Sequence, residues 1–475
     1  MKNFLKNKKT LLVGLGQLGG GVSTAKFLTR SGAKLTVTDV KPENNLKNSI
    51  RQLKNFKTEF HLGGHKKEDF EKSDFIIFNP AVSVFSPWVK LAKKLKKEFF
   101  NDYTLFLKLL QSKDIRHPYI EVTGTRGKTT VATWIGHFLS PVLVGGNIPS
   151  AGLLKIIDKI SSKKPLVLEI SSYQLEYVEK LEPPKVSIGK FFHIAVITNL
   201  SCDHLNRYGN LKTYINVKSK IFINQKKSDI LILNHDDKYT HIFLSKKPKS
   251  RIYFFSLRRL PKNKNGVWFL GNSMYFQENN KKSLVMEKEG LTSHQKLNLA
   301  ASLLASYLAG KNWRELSKKL KNLPEIKFRQ QLVLKKNGAI FINDSAATSP
   351  VGTIAALERF YKDRRHLALV CGGTDKNLYF KDLAKKIKAT LPSENLFLLE
   401  GSATKKLAKE LERLNYFKSE FNLFKSLEDI IEKISEEKHK VVLFSPAAAS
   451  FEKFKNEFDR GNKFNKLIKK YFAKK

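Results

Sequence analysis

The chain has 475 residues, which predicts about two to four domains, and 41% of them are hydrophobic, enough for several buried cores. No apolar stretch approaches the length that crosses a bilayer, so a membrane-spanning protein is excluded. The 87 Lys and Arg residues outnumber the 43 Asp and Glu residues, for a net charge of +44. Because the lysines are spread along the whole chain without a nucleic-acid-binding module, we interpret them as solvated faces and expect no nucleic-acid partner.

The N-terminus and the cysteines are typical of a cytoplasmic protein. Residues 1–9 are basic, but the apolar run that follows them ends at once at Gly14, unlike a signal peptide. Cys202 and Cys371 lie far apart and offer no metal-ligand spacing, as expected in a reducing compartment.

The first segment, residues 1–113, alternates strands and helices around a glycine-rich turn. The predicted elements are strands at 10–13, 34–38 and 75–78 and a helix at 22–31. The turn has the spacing Gly14-x-Gly16-x-x-Gly19, and Asp39 ends the second strand. This pattern lets a diphosphate reach a helix N-terminus. It fits NAD, a UDP-linked ligand or a purely structural turn.

The second segment, residues 114–322, contains the most informative stretch, TGTRGKTT at 123–130. A glycine-rich turn between a strand and a helix exposes backbone N–H groups to an anion. Lys128 adds a charge for phosphate, and the Thr129 hydroxyl can bind Mg²⁺. The loop is shorter than GxxxxGK[ST], because Val122 stands where the first glycine would be. The spacing predicts a nucleoside triphosphate site, with an incidental glycine-rich turn as the alternative. An ATP loop also argues against NAD in the first segment.

Further along this segment, polar residues follow strand ends. The predicted elements are strands at 165–170, 194–198 and 230–233, helices at 213–225 and 294–309, and a β-rich insertion at 240–290. Glu169 is a candidate Mg²⁺ ligand or a solvated carboxylate. His204 could bind a metal through a neutral imidazole nitrogen, with Asp203 nearby, or be structural. The spacing assigns no role to Lys218, for which a surface or core-edge position is the default.

The third segment, residues 323–475, is again α/β. Its predicted strands are 339–342, 367–370, 395–399 and 441–444. Asp344 could hold a ribose, Thr348 a carboxylate, and the turn ending at Lys376 could supply a cation. A small-residue turn at 445–450 lets a ligand approach backbone N–H groups. Each turn alone is generic, but together they lie at strand C-termini, where α/β sheets bind ligands. The predicted fold class is α/β with mostly parallel sheets.

These motifs resemble the Mur ligase family, and they run in family order across the chain. The matching blocks are 123–130, GGNI at 145–148, EISSYQLE at 169–176, 198–208, 343–348, GGTDK at 372–376 and 445–461. The 169–176 and 445–461 blocks are similar to the D-glutamate-adding member in particular. The resemblance implies a Rossmann-like UDP-substrate domain at 1–113, a P-loop ATPase domain at 114–322 and a Rossmann-like domain at 323–475 that receives the amino acid.

The resemblance also implies the reaction. ATP would phosphorylate the carboxylate of UDP-N-acetylmuramoyl-L-alanine, and the amine of D-glutamate would attack the acyl phosphate. Two Mg²⁺ ions would offset the developing charge. The partners would be these two substrates, and a monomer is expected.

The implied site residues follow by position. Lys128, Lys218, His204 and Glu169 would be catalytic. The ATP set would be Gly124, Thr125, Arg126, Gly127, Lys128, Thr129, Thr130, Asn298, Arg329 and Asp344. The UDP-substrate set would be Gly14, Leu15, Gly16, Gly19, Asp39, Asn147 and Gln174. Thr348, Lys376 and Ser450 would grip D-glutamate. Thr129, Glu169, His204 and carbamylated Lys218 would hold metal; carbamylation needs a neutral amine and so a depressed lysine pKa.

Several positions depart from the family pattern. Arg126 stands where the family commonly has Asn, and Gln295 also stands where Asn is usual. Ala346 stands where many members have Lys. Glu457 stands where some members place an aromatic residue, with Phe458 next. The run Gly19-Gly20-Gly21 is looser than the commonest form.

Three other readings remain open. One is a different amide ligase, either another Mur step or a folylpolyglutamate-synthase-like enzyme, although the latter lacks a UDP-type domain. The others are a nucleic-acid-binding P-loop NTPase and an NAD dehydrogenase.

Overall fold

The computed structural model describes residues 4–17, 19–111, 118–148, 151–161, 164–178, 192–201, 203–417 and 422–473. The first region of the chain contains a five-stranded sheet whose strands alternate with helices. The strand order is β3-β2-β1-β4-β5, all parallel. The strands are β1 Lys9–Val13, β2 Lys34–Asp39, β3 Thr58–Leu62, β4 Phe75–Phe78 and β5 Glu98–Asn101. The helices are α1 Gly20–Arg30, α2 Glu43–Arg51, α3 Lys67–Lys72, α4 Pro87–Lys94 and α5 Asp102–Leu110. Cys202 lies outside the described residues.

A nine-stranded sheet follows, in the order β14-β13-β12-β11-β10-β9-β6-β8-β7. Its strands are β6 Tyr119–Thr123, β7 Leu143–Gly146, β8 Leu166–Glu169, β9 His193–Ile197, β10 Ile230–Asn234, β11 Arg251–Ser256, β12 Gly266–Leu270, β13 Ser273–Glu278 and β14 Lys281–Glu287. The pairs β12–β13 and β13–β14 are antiparallel, and all other neighbouring strands pair in parallel. Central strands such as β10 are fully buried, which suits their continuous apolar runs.

The helices of this region differ in detail from the predicted ones. They are α6 Lys128–Leu139, α7 Leu153–Ile156, α8 Ser172–Leu175, α9 Leu205–Tyr208, α10 Leu211–Ser219, α11 Thr240–Ser245, α12 Ser293–Leu308 and α13 Trp313–Lys319. The helix expected at 213–225 begins two residues earlier and becomes a 3₁₀ turn at Lys220–Phe222. The insertion at 240–290 starts with α11, and its remainder forms the expected strands.

The last sheet has six strands in the order β15-β16-β20-β17-β18-β19, and only β15 is antiparallel. The strands are β15 Gln331–Lys336, β16 Ala339–Asn343, β17 Leu367–Gly372, β18 Leu396–Leu399, β19 Asn422–Phe424 and β20 Val441–Phe444. The helices are α14 Pro350–Arg359, α15 Lys381–Thr390, α16 Ser402–Arg413, α17 Leu427–Ser435 and α18 Glu457–Ile468, with a π-helical turn at Lys469–Ala473.

The chain divides into two compact units, Met1–Pro324 and Glu325–Lys475. The first contains two of the sheets and the second contains the six-stranded sheet. The predicted α/β class with mostly parallel sheets is confirmed. No helix in the described ranges is both long enough and apolar enough to cross a membrane.

Candidate functional site

The loop at 123–130 connects β6 to α6, as predicted, and lies between two neighbouring strand ends. The Thr125 N–H donates to the Asn199 carbonyl at 2.9 Å. Helix α6 begins directly after Gly127, which adopts a left-handed conformation with φ +80°. The Lys128 ammonium donates to the carbonyls of Gly124 at 3.0 Å and Thr125 at 3.1 Å. The first-turn N–H groups of α6 and this ammonium together form a site suited to phosphate oxygens.

Gly124 is required where it stands. Its φ is +146°, and a Cβ added there would lie 1.9 Å from Thr198 Oγ1. We expect Gly124→Ala to destabilise the chain by about 2–4 kcal/mol, because strain and overpacking add, and to impair ATP binding. Gly310→Ala is the matched control: φ there is +102° but no atom lies within 4 Å, so about 1 kcal/mol of strain is expected. Urea unfolding and nucleotide titration measure both variants, and equal losses would contradict the packing argument.

Lys218 on α10 is buried against this loop. Its side chain is 1% exposed, and its Nζ donates to the Gly124 carbonyl at 2.8 Å and to Thr123 Oγ1 at 3.4 Å. The Tyr214 ring lies 4.8 Å from the same nitrogen. Burial, assisted by the nearby Lys128 charge, holds the pKa of Lys218 well below its ordinary value. The structure therefore favours the neutral amine that carbamylation requires, and the default surface position is wrong.

Asp203 and His204 follow β9 and face the loop. The Asp203 carboxylate accepts the His204 N–H at 2.9 Å, and His204 has a left-handed φ of +54°. The imidazole Nδ1 lies 3.0 Å from the Tyr173 hydroxyl, which leaves Nε2 as the nitrogen that can face a metal. An Arg126 guanidinium nitrogen lies 3.8 Å from Asp203 Oδ2. These contacts bring the predicted His204 and Arg126 into one cluster beside the loop.

Glu169 ends β8, where its backbone pairs with Val122 just before the loop. The side chain is 3% exposed, and its Oε2 has no hydrogen-bond partner among the described residues. A buried carboxylate oxygen without a donor fits a divalent cation. Within the described ranges, no three acidic, histidine or cysteine side chains cluster closely enough to hold a metal alone. A cation bound by Glu169 therefore needs other oxygen or nitrogen ligands, such as Thr129, a modified Lys218 or phosphate.

In the first sheet, Asp39 shapes the glycine turn. Its Oδ2 accepts the N–H groups of Leu15 at 2.8 Å and Gly16 at 3.0 Å, and its Oδ1 accepts that of Lys41 at 2.9 Å. The carboxylate thus accepts hydrogen bonds from two backbone N–H groups that the glycine spacing predicted would bind a diphosphate. Gly19 lies at the N-terminus of α1, as a phosphate site there would require. In this structure Asp39 stabilises the turn through these hydrogen bonds.

Asn147 directly follows β7, and Gln174 lies in α8, the short helix after β8. The Asn147 N–H donates to the Glu169 carbonyl at 2.7 Å. The Gln174 amide is occupied within the protein: its Nε2 donates to Asp102 Oδ2 at 2.9 Å, and its Oε1 accepts from Ser171. Burial raises the pKa of Asp102 to about 6, and its other oxygen has no described partner. Sequence reasoning missed Asp102, because its partner is 72 residues away.

Helix α12 contributes Asn298 and explains the Gln295 departure. A Cβ on Gly127 would lie 2.4 Å from Asn298 Oδ1, which places this side chain against the phosphate loop. Gln295 is the third helical residue of α12, and its Oε1 accepts both the N–H and the hydroxyl of Thr292 at 3.0 Å. A glutamine completes this capping box, so its role is to start the helix that carries Asn298.

In the second unit, Asp344 is buried at the end of β16. Its carboxylate accepts the Ser445 hydroxyl at 2.8 Å and the Gln330 N–H at 3.1 Å. Burial raises the pKa of Asp344 to about 7, against the opposing charge of Arg329. Arg329 therefore lies within electrostatic reach of Asp344, and both residues stay predicted ATP contacts.

The predicted D-glutamate residues also lie in this unit. The Lys376 ammonium donates to Thr348 Oγ1 at 3.4 Å, so the two converge. Ser450 Oγ is buried and has no partner among the described residues. Ser450 follows a turn held by Arg460, which donates to the carbonyls of Ala448 and Ala449. Burial lowers the pKa of Arg460 to about 10. Sequence reasoning quoted Arg460 within the 445–461 block but assigned it no role.

Two further departures, Ala346 and Glu457, lie beside Ser345, whose carbonyl accepts a hydrogen bond from Arg460. Ala346 has no polar side chain, and its N–H donates to the Phe328 carbonyl. Glu457 begins α18, and its carbonyl accepts the Ser345 hydroxyl at 2.7 Å. Phe458 is 39% exposed, with its ring 6.1 Å from that of Phe328.

Comparisons with known proteins agree with this arrangement. Residues 8–100 match the family model "Mur ligase MurD-like, N-terminal domain", and residues 122–306 match "Mur ligase middle domain". The chain is 35% identical to the UDP-N-acetylmuramoylalanine–D-glutamate ligase of Borreliella afzelii (strain PKo), over 98% of each chain. It is 30% identical to the ligase of the same name from Clostridioides difficile (strain 630), over 97% of this chain and 98% of the relative.

Solved structures share the fold at lower identity. The MurC ligase of Thermotoga maritima superposes with a TM-score of 0.59 at 18% identity, covering 99% of this chain and 100% of that one. The MurF ligase of the same organism, in complex with ADP, gives 0.57 at 15% identity, covering 100% and 97%. Because curated relatives are up to 35% identical over nearly the full length and the solved structures share the fold, this chain belongs to the Mur ligase family.

Proposed function

We propose that this chain is an ATP-dependent ligase that joins D-glutamate to UDP-N-acetylmuramoyl-L-alanine through an acyl phosphate, a step of peptidoglycan precursor synthesis. The observation that carries this proposal is a buried, pKa-depressed Lys218 packed on a phosphate loop. Full-length similarity to D-glutamate ligases supports the choice of substrate.

The phosphate loop would bind and orient the nucleotide. The N–H groups at the start of α6 would hold phosphate oxygens, and Lys128 would turn from its own loop carbonyls to the β- and γ-phosphates. Asn298 lies against Gly127 and would contact the nucleotide from α12. Asp344, which could hold a ribose, and Arg329 stay predicted ATP contacts. The acceptor carboxylate then attacks the γ-phosphorus, ADP leaves, and the carboxylate becomes an acyl phosphate.

We infer that Mg²⁺ is the cofactor and that two ions bind. Thr129 would hold one, while Glu169, His204 and carbamylated Lys218 would hold the other. Divalent cations would supply charge stabilisation at the phosphoryl oxygens. The donor-free oxygen of Glu169 and the depressed pKa of Lys218 support this assignment.

D-glutamate, whose amine is the nucleophile, would bind in the second unit. Thr348, Lys376 and Ser450 would grip the D-glutamate carboxylates, since the first two converge and the Ser450 hydroxyl has no described partner. The amine attacks the acyl carbon, a tetrahedral intermediate collapses, and phosphate leaves.

We further propose three domains, with the UDP-substrate domain at 1–113, the ATPase domain at 114–322 and the D-glutamate domain at 323–475. Gly14, Gly16, Gly19 and Asn147 would surround the UDP-muramoyl group, while Asp39 and Gln174 hold the surrounding backbone. Because both ATP and a UDP-activated sugar are required, the proposed location is the cytoplasm. A monomer that needs neither nucleic acid nor membrane is expected.

Phosphate release from ATP tests the proposal directly. With UDP-N-acetylmuramoyl-L-alanine present, we expect release with D-glutamate and none with L-glutamate, L-lysine or meso-diaminopimelate. Omission of the UDP substrate is the control. Product formation with another amino acid and not with D-glutamate would refute the assignment, and stimulation by DNA or RNA would point to a nucleic-acid-dependent ATPase instead.

A further inference from the structure

Three loops of the second unit carry the side chains proposed to bind the amino acid. They follow the neighbouring strands β16, β17 and β20, whose carboxyl ends meet at one edge of the sheet. We call them the substrate loops; in chain order they are residues 344–348, 373–376 and 445–450. Their polar side chains can act on one ligand only if three separate stretches of backbone keep a fixed spacing.

Arg460 on α18 joins the first and third substrate loops. Its Nη2 donates to the carbonyls of Ser345 at 2.8 Å and Ala448 at 3.0 Å. Its Nη1 donates to the Ala449 carbonyl at 3.0 Å, and its Nε donates to Ser345 Oγ at 3.1 Å. Four hydrogen bonds from one side chain therefore connect two loops that lie about a hundred residues apart in sequence.

The second substrate loop is attached to the same point. The Thr374 N–H donates to the Ala449 carbonyl at 2.9 Å, and the Ala449 N–H donates to the Thr374 carbonyl at 3.0 Å. The Ala449 carbonyl thus accepts from both Thr374 and Arg460. A Cβ on Gly373 would lie 2.5 Å from this carbonyl oxygen and 3.4 Å from Arg460 Nη1, so the backbones approach closely here. All three loops therefore meet around Arg460.

A neutral side chain could fill this space but could not make these contacts. The guanidinium is fully buried, and all four of its acceptors are carbonyl or hydroxyl oxygens. Burial of a charge is unfavourable unless its donors are matched, and the planar fork of arginine matches acceptors on two loops at once. The third loop needs such support, because Ala447 has a left-handed φ of +60°. Arg460 thus holds a strained turn beside Ser450.

We propose that Arg460 is a positioning residue for the amino-acid substrate, because it holds the three substrate loops at the spacing that one ligand needs. The proposal rests on the proposed function, which identifies that ligand as D-glutamate. Arg460 does not touch the substrate. It acts through Thr348, Lys376 and Ser450, whose loops are ordered before the amino acid binds. Looser loops would have to be ordered by the substrate itself, which weakens binding.

Steady-state kinetics of the full chain test this role. Arg460→Lys keeps the charge, but one ammonium group cannot span acceptors on two loops. We expect its KM for D-glutamate to rise by about tenfold or more, while the KM for the UDP substrate changes by less than about twofold. Ser345→Ala removes one of the four acceptors and should raise the same KM by roughly threefold. Arg413→Lys is the matched control, since this exposed arginine of the same unit should leave both KM values unchanged.

Limited proteolysis tests the loops without turnover. Phe451 is exposed and directly follows the third substrate loop, so chymotrypsin can cleave there when the loop opens. We expect cleavage after Phe451 to be several-fold faster in Arg460→Lys, and cleavage after the exposed Tyr361 of the same unit to be unchanged. Unchanged cleavage after Phe451, or an equal rise of both KM values, would overturn the proposal. Failure of the wild type to form product with D-glutamate would instead refute the proposed function, and the proteolysis result would still decide whether Arg460 holds the loops.

Discussion

Replacement of Lys218 by methionine is expected to abolish ligation while the chain remains folded. Methionine has a similar length and fills the same buried volume, but it cannot be carbamylated or bind a cation. Loss of several kcal/mol of charge stabilisation corresponds to a rate reduced by about 10³-fold or more. Phosphate release with D-glutamate measures the loss, and added bicarbonate should not restore it.

The stability of this variant separates chemistry from folding. In the wild type the folded pKa of Lys218 lies well below 10.5, so at a pH between the folded and unfolded pKa values the unfolded chain binds a proton that the folded chain does not. That difference destabilises the unmodified wild type at low pH and disappears as pH rises to 10.5. We therefore expect Lys218→Met to be at least as stable as unmodified wild type at neutral pH, with a difference that narrows towards pH 10.5.

Two controls complete this experiment. Lys212 is exposed on the same helix, and Lys212→Met should ligate normally. Protein incubated with ¹³C-labelled bicarbonate should show a carbamate carbon by NMR in the wild type and none in Lys218→Met. Near-normal ligation by Lys218→Met would remove the carbamate from the mechanism.

Truncation of Arg207 is expected to cause the largest loss of stability. Its guanidinium forms a bidentate pair with Glu176, at 2.6 and 2.8 Å, and the Glu176 side chain is fully buried. It also donates to the carbonyls of Pro80, Ala81 and Val82 and lies 4.0 Å from the Tyr173 ring centre. Removing one partner leaves a buried charge, so Arg207→Ala should destabilise by about 3–5 kcal/mol in urea unfolding.

An exposed pair supplies the comparison for Arg207. Arg413 contacts Glu410 at 2.6 Å, but its side chain is 61% exposed, and Arg413→Ala should cost about 1 kcal/mol or less. Arg207→Met combined with Glu176→Gln should cost less than the sum of the single changes, because no unpaired charge remains. A loss below 1 kcal/mol for Arg207→Ala would show that the pair contributes little.

The central strands could be predicted from sequence, because buried parallel strands are continuous apolar runs, whereas several short helices, such as α2 and α4, were not predicted. The strands β3, β5, β7, β15 and β19 were missed, and all five lie at the edge of a sheet, where sequences such as QLVLKK mix polar and apolar residues. Positions of site residues also followed from strand ends. Their partners did not: the burial of Lys218, the use of Gln174 by Asp102 and the turn of Asp39 towards its own loop depend on tertiary packing.

The contacts of Arg207 affect how backbone amides in the first unit exchange with solvent. The segment 80–84 that it holds also packs on the glycine turn, since a Cβ on Gly14 would lie 3.4 Å from Val82. On the other side, the Arg207 N–H donates to the His204 carbonyl. We therefore expect the amides of residues 80–84 to exchange with solvent together with those around Arg207, because the same contacts hold both segments.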